Sequence, residues 1–387
     1  MQRDIRIMME MLRCSAEGVS IDKTILADVT PGILYEIYAV MNIHGMVHLP
    51  ANIIDKCGIA VDAPLLEKYK GQIPYALYSY EKMSFETEQM SEIFEEKGVP
   101  FVLLKGAVLR NLYSEPWLRP SCDIDVLVQK KDLEKAGQIL ENELNYKKIY
   151  IGTHHITYTS PSEVNIELHF DLIEKNQANK AMKIAKKVWD YAKVQEGYKY
   201  RYILDDSFLY FYHIAHCATH FEEGGCGIKP ILDLYLLEKN IDRKSSLIKR
   251  FLRKSDLEKF EENLINLCDV WFRGKEHDKV TLVMEDFIIN GGLRGSPKQN
   301  LLFKKYYFNG ETGYFLSRLF ISLEELKFDY PILKKAVYLT PFFVILRWLK
   351  LLFKREKRGM FERYETVKNI SQEDMKYFGE MFYKIGL

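Results

Sequence analysis

The chain has 387 residues, 47% of them apolar, which is enough for a substantial core and too long for one ordinary domain. Lys plus Arg (55) almost cancels Asp plus Glu (54). This excludes the globally basic footprint of a protein that coats nucleic acid, while leaving room for a local basic cleft.

In chain order, the N-terminal stretch MQRDIRIMMEMLRCSAEG alternates charged and apolar residues at helical spacing. It has no unbroken apolar run or small-residue cleavage site, so no signal peptide is expected. The six cysteines contain no CxxC pair, a pattern of free thiols that fits a cytoplasmic location. Residues 1–97 read as helical. The last such segment, from Tyr75 to Lys97, carries Leu77, Tyr80, Met83, Met90, Ile93 and Phe94 at helical spacing. It stops at Gly98-Val99-Pro100.

Residues 98–204 have a different texture. Phe101 to Leu104 reads as a buried strand, followed by Lys105-Gly106 and a short helical pattern to Tyr113. After a loop containing Pro116 and Pro120, Ile124 to Val128 reads as a strand and Lys131 to Leu144 as a helix. Two further strands, near His155 to Thr159 and Val164 to Phe170, are joined by Ser160-Pro161-Ser162-Glu163. From 205 to 387 the pattern is helical again, punctuated by Pro230, Gly291-Gly292 and Pro331. The expected fold is α+β: a small mixed sheet with helices on one face, between helical N- and C-terminal regions. Ala336 to Phe353 is strongly apolar and runs into Lys354, Arg355, Lys357 and Arg358. Pro341, Arg347 and Lys350 interrupt it, so a buried helix is expected in preference to membrane-surface contact through 336–358.

The chemistry concentrates in Asp123-Ile124-Asp125. Side chains alternate along a strand, so both carboxylates share a face while Ile124, Val126 and Val128 point to the core. Two like charges held side by side call for a cation, and Mg²⁺ (or Mn²⁺) suits oxygen ligands and substrate phosphates. Val164 to Asp171 alternates strictly, with Val164, Ile166, Leu168 and Phe170 on one face and Asn165, Glu167, His169 and Asp171 on the other. If this strand neighbours that of Asp123, Glu167 is a third carboxylate, and three can hold two metal ions. The competing explanation is the wet face of a half-exposed sheet. A dehalogenase-type phosphatase puts its Asp-x-Asp after the apolar strand, which is the wrong order here. A sugar-nucleotide glycosyltransferase needs a longer α/β unit ahead of the motif than residues 98–122 supply.

Leu104-Lys105-Gly106 forms a strand-to-helix glycine turn, where backbone N–H groups and Lys105 could meet phosphate. Taken together, LLKGAVL, DIDVLV and NIELHF resemble the three motifs of the DNA polymerase beta-like nucleotidyltransferase superfamily. The closer resemblance is to a bacterial family labelled uncharacterised nucleotidyltransferase, through LKG, Arg119, Asp123 to Val128, His154-His155, Val164 to Phe170 and the segment FYHIAHCATHFEEGGCGIKPILDLYLL. The likeness covers roughly residues 95 to 240. It implies a metal-dependent transfer of a nucleoside monophosphate from an NTP to a hydroxyl acceptor. Asp123, Asp125 and Glu167 would be the metal-binding and catalytic residues, and Lys105, Gly106, Arg119 and His169 would contact the nucleotide. Ala107 stands where the superfamily has a phosphate-binding serine, and Lys229 where relatives have arginine.

A small-molecule acceptor is expected from the near-neutral charge. The alternatives are nucleotidylation of a protein side chain, as by a regulator or toxin, and a non-catalytic nucleotide-binding protein. His213, His216 and His220 share a helical stripe, read as polar residues facing the nucleotide cleft in preference to a zinc site. Asp233 reads either as a cleft carboxylate or as a buried hydrogen-bonding residue.

Overall fold

The computed structural model describes residues 3–172, 180–292, 295–321, 323–353 and 366–387. The long N-terminal helix spans Gln72–Glu96 and buries Met83, Met90 and Phe94. Its end is fixed by Gly98 at φ 65°. Gly98 N–H donates to Glu95 O and Val99 N–H to Phe94 O, the paired bonds that close a helix through a left-handed residue. The chain is thereby turned into the sheet at Phe101.

The sheet has seven strands: β1 (Phe101–Leu103), β2 (Asp123–Val128), β3 (Lys147–Ile151), β4 (His155–Thr159), β5 (Asn165–His169), β6 (Ala192–Val194) and β7 (Arg201–Leu204). Their order is β3-β4-β5-β2-β1-β7-β6. β2 runs parallel to β5 and antiparallel to β1, and β1 runs parallel to β7. The fold is α+β, and its mixed sheet is larger than expected because β3, β6 and β7 were not anticipated. All five positions of β3 are exposed, so it carries no burial pattern, and β6 and β7 have only three and four residues.

Both faces of the sheet are covered, which corrects the expectation of helices on one face. Ile124, Val126, Val128, Ile166 and Leu168 share a core with Met90 and Phe94 and with Ala136, Ile139 and Leu140 of the helix Leu133–Asn142. On the other face, Val102, Leu104 and Leu127 join a core containing Phe208, Phe211 and Tyr212 of the helix Asp206–Glu222. That second core also takes in Ile7 and Leu12 of the helix Arg3–Glu17 and Phe382 and Ile385 of the helix Gln372–Ile385. The N- and C-terminal helical segments therefore share apolar contacts with the sheet.

The apolar helix Thr340–Phe353 differs from the buried helix expected of it. Trp348 Nε1 donates to Leu319 O, but Phe342, Ile345 and Leu349 leave an exposed stripe. The basic residues 354–358 lie outside the described residues. Among the described residues, no helix is long and apolar enough to cross a membrane.

Ile166, fully buried one residue before Glu167, shows how the core anchors the strand. Ile166→Ala is expected to cost about 2–5 kcal/mol in a denaturant melt. A loss under about 0.5 kcal/mol, the size of an ordinary surface change, would place this strand outside the core.

Candidate active site

The parallel pairing of β2 with β5 sets Asp125 opposite Glu167 and Asp123 opposite Asn165. The antiparallel pairing of β4 with β5 sets Thr157 opposite Glu167 and His155 opposite His169. Residues paired across a sheet share a face. Asp123, Asp125, Glu167, His169 and His155 therefore gather on one surface, with Ile124, Ile166 and Leu168 behind them in the core. The neighbouring strands assumed from the sequence are thus adjacent.

A buried electrostatic cluster ties these groups together. Lys105 Nζ donates to Asp125 Oδ1 at 2.8 Å, and His169 Nε2–H donates to the same oxygen at 2.8 Å. His169 Nε2 also lies 3.3 Å from Glu167 Oε2, and His155 Nε2 lies 3.8 Å from Glu167 Oε1. Burial pushes the Asp125 carboxyl up, but the Lys105 charge and the His169 hydrogen bond outweigh it and hold it well below the usual carboxylate range. Among the described residues, Asp123 has no such partner. Burial, then the charge of Asp125, push it up to about 6 against the opposing pull of Lys105. The hydrogen bond from His169 lowers Glu167 despite burial. Burial would depress His169, and its bonds to Asp125 and Glu167 raise it instead. Burial lowers His154 to about 3 and also lowers His155.

Lys105 reaches Asp125 from a backbone with φ 39° and ψ −106°. A side chain with a Cβ at positive φ is strained, and such strain persists only where the surroundings fix it. The following helix, Gly106–Leu109, is a single turn that passes into the 3₁₀ turn Arg110–Leu112. Its dipole is correspondingly small, so the positive potential at this turn comes mainly from Lys105. Gly106 is required by packing: a Cβ there would lie 2.4 Å from Ser121 Oγ and 3.1 Å from Arg119 Nη1.

Arg119, expected to clamp phosphate, is committed elsewhere. Its Nε and Nη2 donate to the two oxygens of Asp233 at 2.8 and 2.7 Å, and both residues are buried. Tyr113 OH donates to Asp233 Oδ1 at 2.9 Å. Asp233 thus takes the buried hydrogen-bonding role. Lys229 Nζ donates to Pro120 O at 3.2 Å. The helix Ile228–Glu238 thereby fixes the loop that enters β2. His169, expected to touch nucleotide or acceptor, is 1% exposed and bridges two carboxylates.

One cavity opens on this surface and a second lies at the loop leading into β2. One, of about 200 Å³, is lined by Lys105, His154, His169, Tyr212, His216 and His220. Two of the three helix histidines thus face Lys105, while His213 Nε2 contacts Pro230 O at 2.9 Å. The other, of about 420 Å³, lies beside Ser121 and Cys122, the residues that precede Asp123, and includes Tyr80, Arg110 and Trp117.

Tyr212, which the sequence did not mark as a site residue, has a buried hydroxyl with no hydrogen-bond partner among the described residues. His155, one of the histidine pair that the resemblance singled out, lies against Glu167. Its place could have been counted from the β4–β5 turn, because stepping outward by twos from Thr159 opposite Asn165 leads to His155 opposite His169. Among the described residues, donor atoms of Asp125, Glu167 and His169 lie within 4.8 Å of one another, as do those of His154, His155 and His169. The carboxylate oxygens of Asp125 and Glu167 are of the kind that suits a hard divalent cation such as Mg²⁺, and Asp123 shares their face without being part of either group.

A mixed sheet bearing a Lys-Gly turn and facing carboxylates has the make-up of a nucleotidyltransferase core. The chain belongs to the family described as uncharacterised nucleotidyltransferase, whose match spans residues 35–273. No curated protein and no solved structure matches it.

Asp233→Ala would leave the Arg119 guanidinium buried and unpaired, at an expected cost of about 3–5 kcal/mol. Urea unfolding of this variant beside Asp233→Asn, which keeps the shape and one acceptor, measures it. A loss under about 1 kcal/mol, the level of an exposed ion pair, would show that the pair does not fix this loop.

Proposed function

We propose that this chain is a metal-dependent nucleotidyltransferase of the DNA polymerase beta-like type, moving a nucleoside monophosphate from an NTP to the hydroxyl of a small molecule in the cytoplasm. The observation that carries the reading is the Asp125–Glu167 pairing on parallel strands, with Asp123 on the same face and Lys105 bonded to Asp125. In the transfer, the acceptor oxygen forms a bond to the α-phosphorus, the bond from that phosphorus to the bridging oxygen breaks, and pyrophosphate leaves. Asp123 and Asp125 would hold Mg²⁺, which when bound offsets charge on the phosphates and on the attacking oxygen, and Glu167 would either complete a second metal site or take the acceptor's proton.

The protein's own groups supply the rest. Glu167, with its carboxyl lowered by His169, is ionised at neutral pH and placed to take the acceptor's proton. Lys105, kept charged by Asp125 against the pull of burial, lines the smaller cavity, where it could meet the triphosphate. His169 orients both carboxylates. Arg119 acts by holding Pro120 to Cys122 in place, with Nη1 turned toward Gly106. The cavity of about 420 Å³ beside Ser121 and Cys122, a volume within the usual range for small-ligand pockets, could admit a small acceptor to the loop that enters β2. The net charge of +1 also disfavours a nucleic-acid track.

Asp123→Asn and Asp125→Asn are each expected to abolish Mg²⁺-dependent pyrophosphate release from labelled NTPs mixed with a metabolite extract. Full turnover by either variant would remove these residues from the site. A second comparison separates proton transfer from simple charge on the sheet. If Glu167 takes the acceptor's proton, Glu167→Gln should bind Mg-NTP nearly normally and lose roughly 10²–10⁴-fold in turnover, the usual worth of a general base; if it mainly holds a metal, the variant should also need more Mg²⁺ for activity. Asp171→Asn should be nearly silent, because Asp171 lies beyond β5 in a 2.8 Å pair with the exposed Lys130. The reverse ranking would reassign the third carboxylate.

A further inference from the structure

We propose that the exposed stripe of the helix Thr340–Phe353 docks the protein on an anionic lipid surface, with the helix lying in the plane of the headgroups. This concerns where the protein works and does not rest on the reaction proposed above.

The helix is packed through one side and presents the other. Phe343 lies against Tyr330 with ring centres 4.6 Å apart, and Trp348 against Phe320 at 5.4 Å. Trp348 Nε1 also donates to Leu319 O at 2.9 Å. At about 3.6 residues per turn, Phe342, Ile345 and Leu349 fall within an arc of roughly 60°, on the side opposite Phe343 and Trp348. They are 58%, 54% and 45% exposed, and Tyr338, four residues before Phe342, is 81% exposed. Large apolar side chains aligned on one outward face mark an interaction surface.

Charge identifies the occupant. Residues 331–358 contain eight Lys and Arg and a single acid, Glu356, in a chain whose net charge is +1. Lys335 and Lys350 are exposed. Asp329, just before this stretch, lies 3.9 Å from Arg347, which offsets its charge. Lys354, Arg355, Lys357 and Arg358 follow the helix directly in the sequence. An apolar face with clustered cations matches both the acyl boundary and the phosphates of an anionic leaflet. A second copy of the chain fits less well, because a two-fold interface through this stripe would bring two such basic segments together. Nucleic acid would meet the cations but leave Ile345 and Leu349 in water.

Length sets the mode of contact. The helix has 14 residues. At the usual rise it is roughly 21 Å long, short of the roughly 30 Å hydrocarbon core, so it lies on the surface and does not span it.

The test is flotation of the full-length protein with vesicles of phosphatidylcholine alone or mixed with phosphatidylglycerol. The protein should float with the mixed vesicles and bind the neutral ones about tenfold more weakly or worse. Added salt should release it from the mixed vesicles, because screening weakens the attraction of the basic residues. A Phe342→Ser, Ile345→Ser double variant should partition about 10–100-fold more weakly, with an unchanged circular dichroism spectrum. No binding to the mixed vesicles, or equal binding to both kinds, would overturn the proposal. So would a wild-type dimer that the double variant dissociates, which would assign the stripe to a second copy. Because the lipid and salt dependence of the wild-type protein decides the outcome, a variant that failed to fold would not obscure it.

Discussion

The organising constraint is the repulsion among three carboxylates that β2 and β5 bring onto one buried surface. Like charges this close cannot all stay ionised without compensation. Asp125 is compensated by the Lys105 ammonium and the His169 ring, each 2.8 Å from the same oxygen. Asp123 is not, and its carboxyl rises to about 6 under burial and the charge of Asp125. Much of the local architecture serves this balance. The positive φ of Lys105 aims its side chain inward, Gly106 lets the 119–121 loop cross close by, and Arg119 with Asp233 keeps that loop down.

The arrangement also determines which groups stand over the Lys105-Gly106 turn. Ala107 follows the glycine, so no hydroxyl comes from the turn itself. Ser121 Oγ instead stands over Gly106, where it donates to Asp123 O at 3.1 Å. The hydroxyl and the guanidinium nitrogen nearest the turn both come from the loop entering β2. Loop and turn therefore form one unit, assembled from segments about a dozen residues apart.

How legible this was depended on the range of each contact. Strict alternation in Val164 to Asp171 exposed the faces of β5 because one side is fully buried and the other bears the candidate site. The Asp-x-Asp strand was readable for the same reason, and the stop at Gly98 was readable from its chemistry. The edge strand β3 buries nothing, so its sequence has no period to detect. The partner of Arg119 lies 114 positions away on a helix, and no local pattern joins them. An arginine that looked like a phosphate clamp was, in three dimensions, already half of an ion pair. The exposed stripe of Thr340–Phe353 escaped for a related reason: apolar composition reports what a helix could bury, not whether anything covers it.

The buried Arg119–Asp233 pair also bears on where the chain could be cut. Motif boundaries invite excising residues 98–204 as a minimal catalytic unit. That piece would keep every carboxylate of the site but lose Asp233, Lys229 and Tyr212. Its Arg119 would then carry an uncompensated charge beneath the very loop that presents Asp123. The motifs are contiguous, but the machinery is not portable: the helices after β7 are part of the scaffold that makes an Asp-x-Asp strand a site.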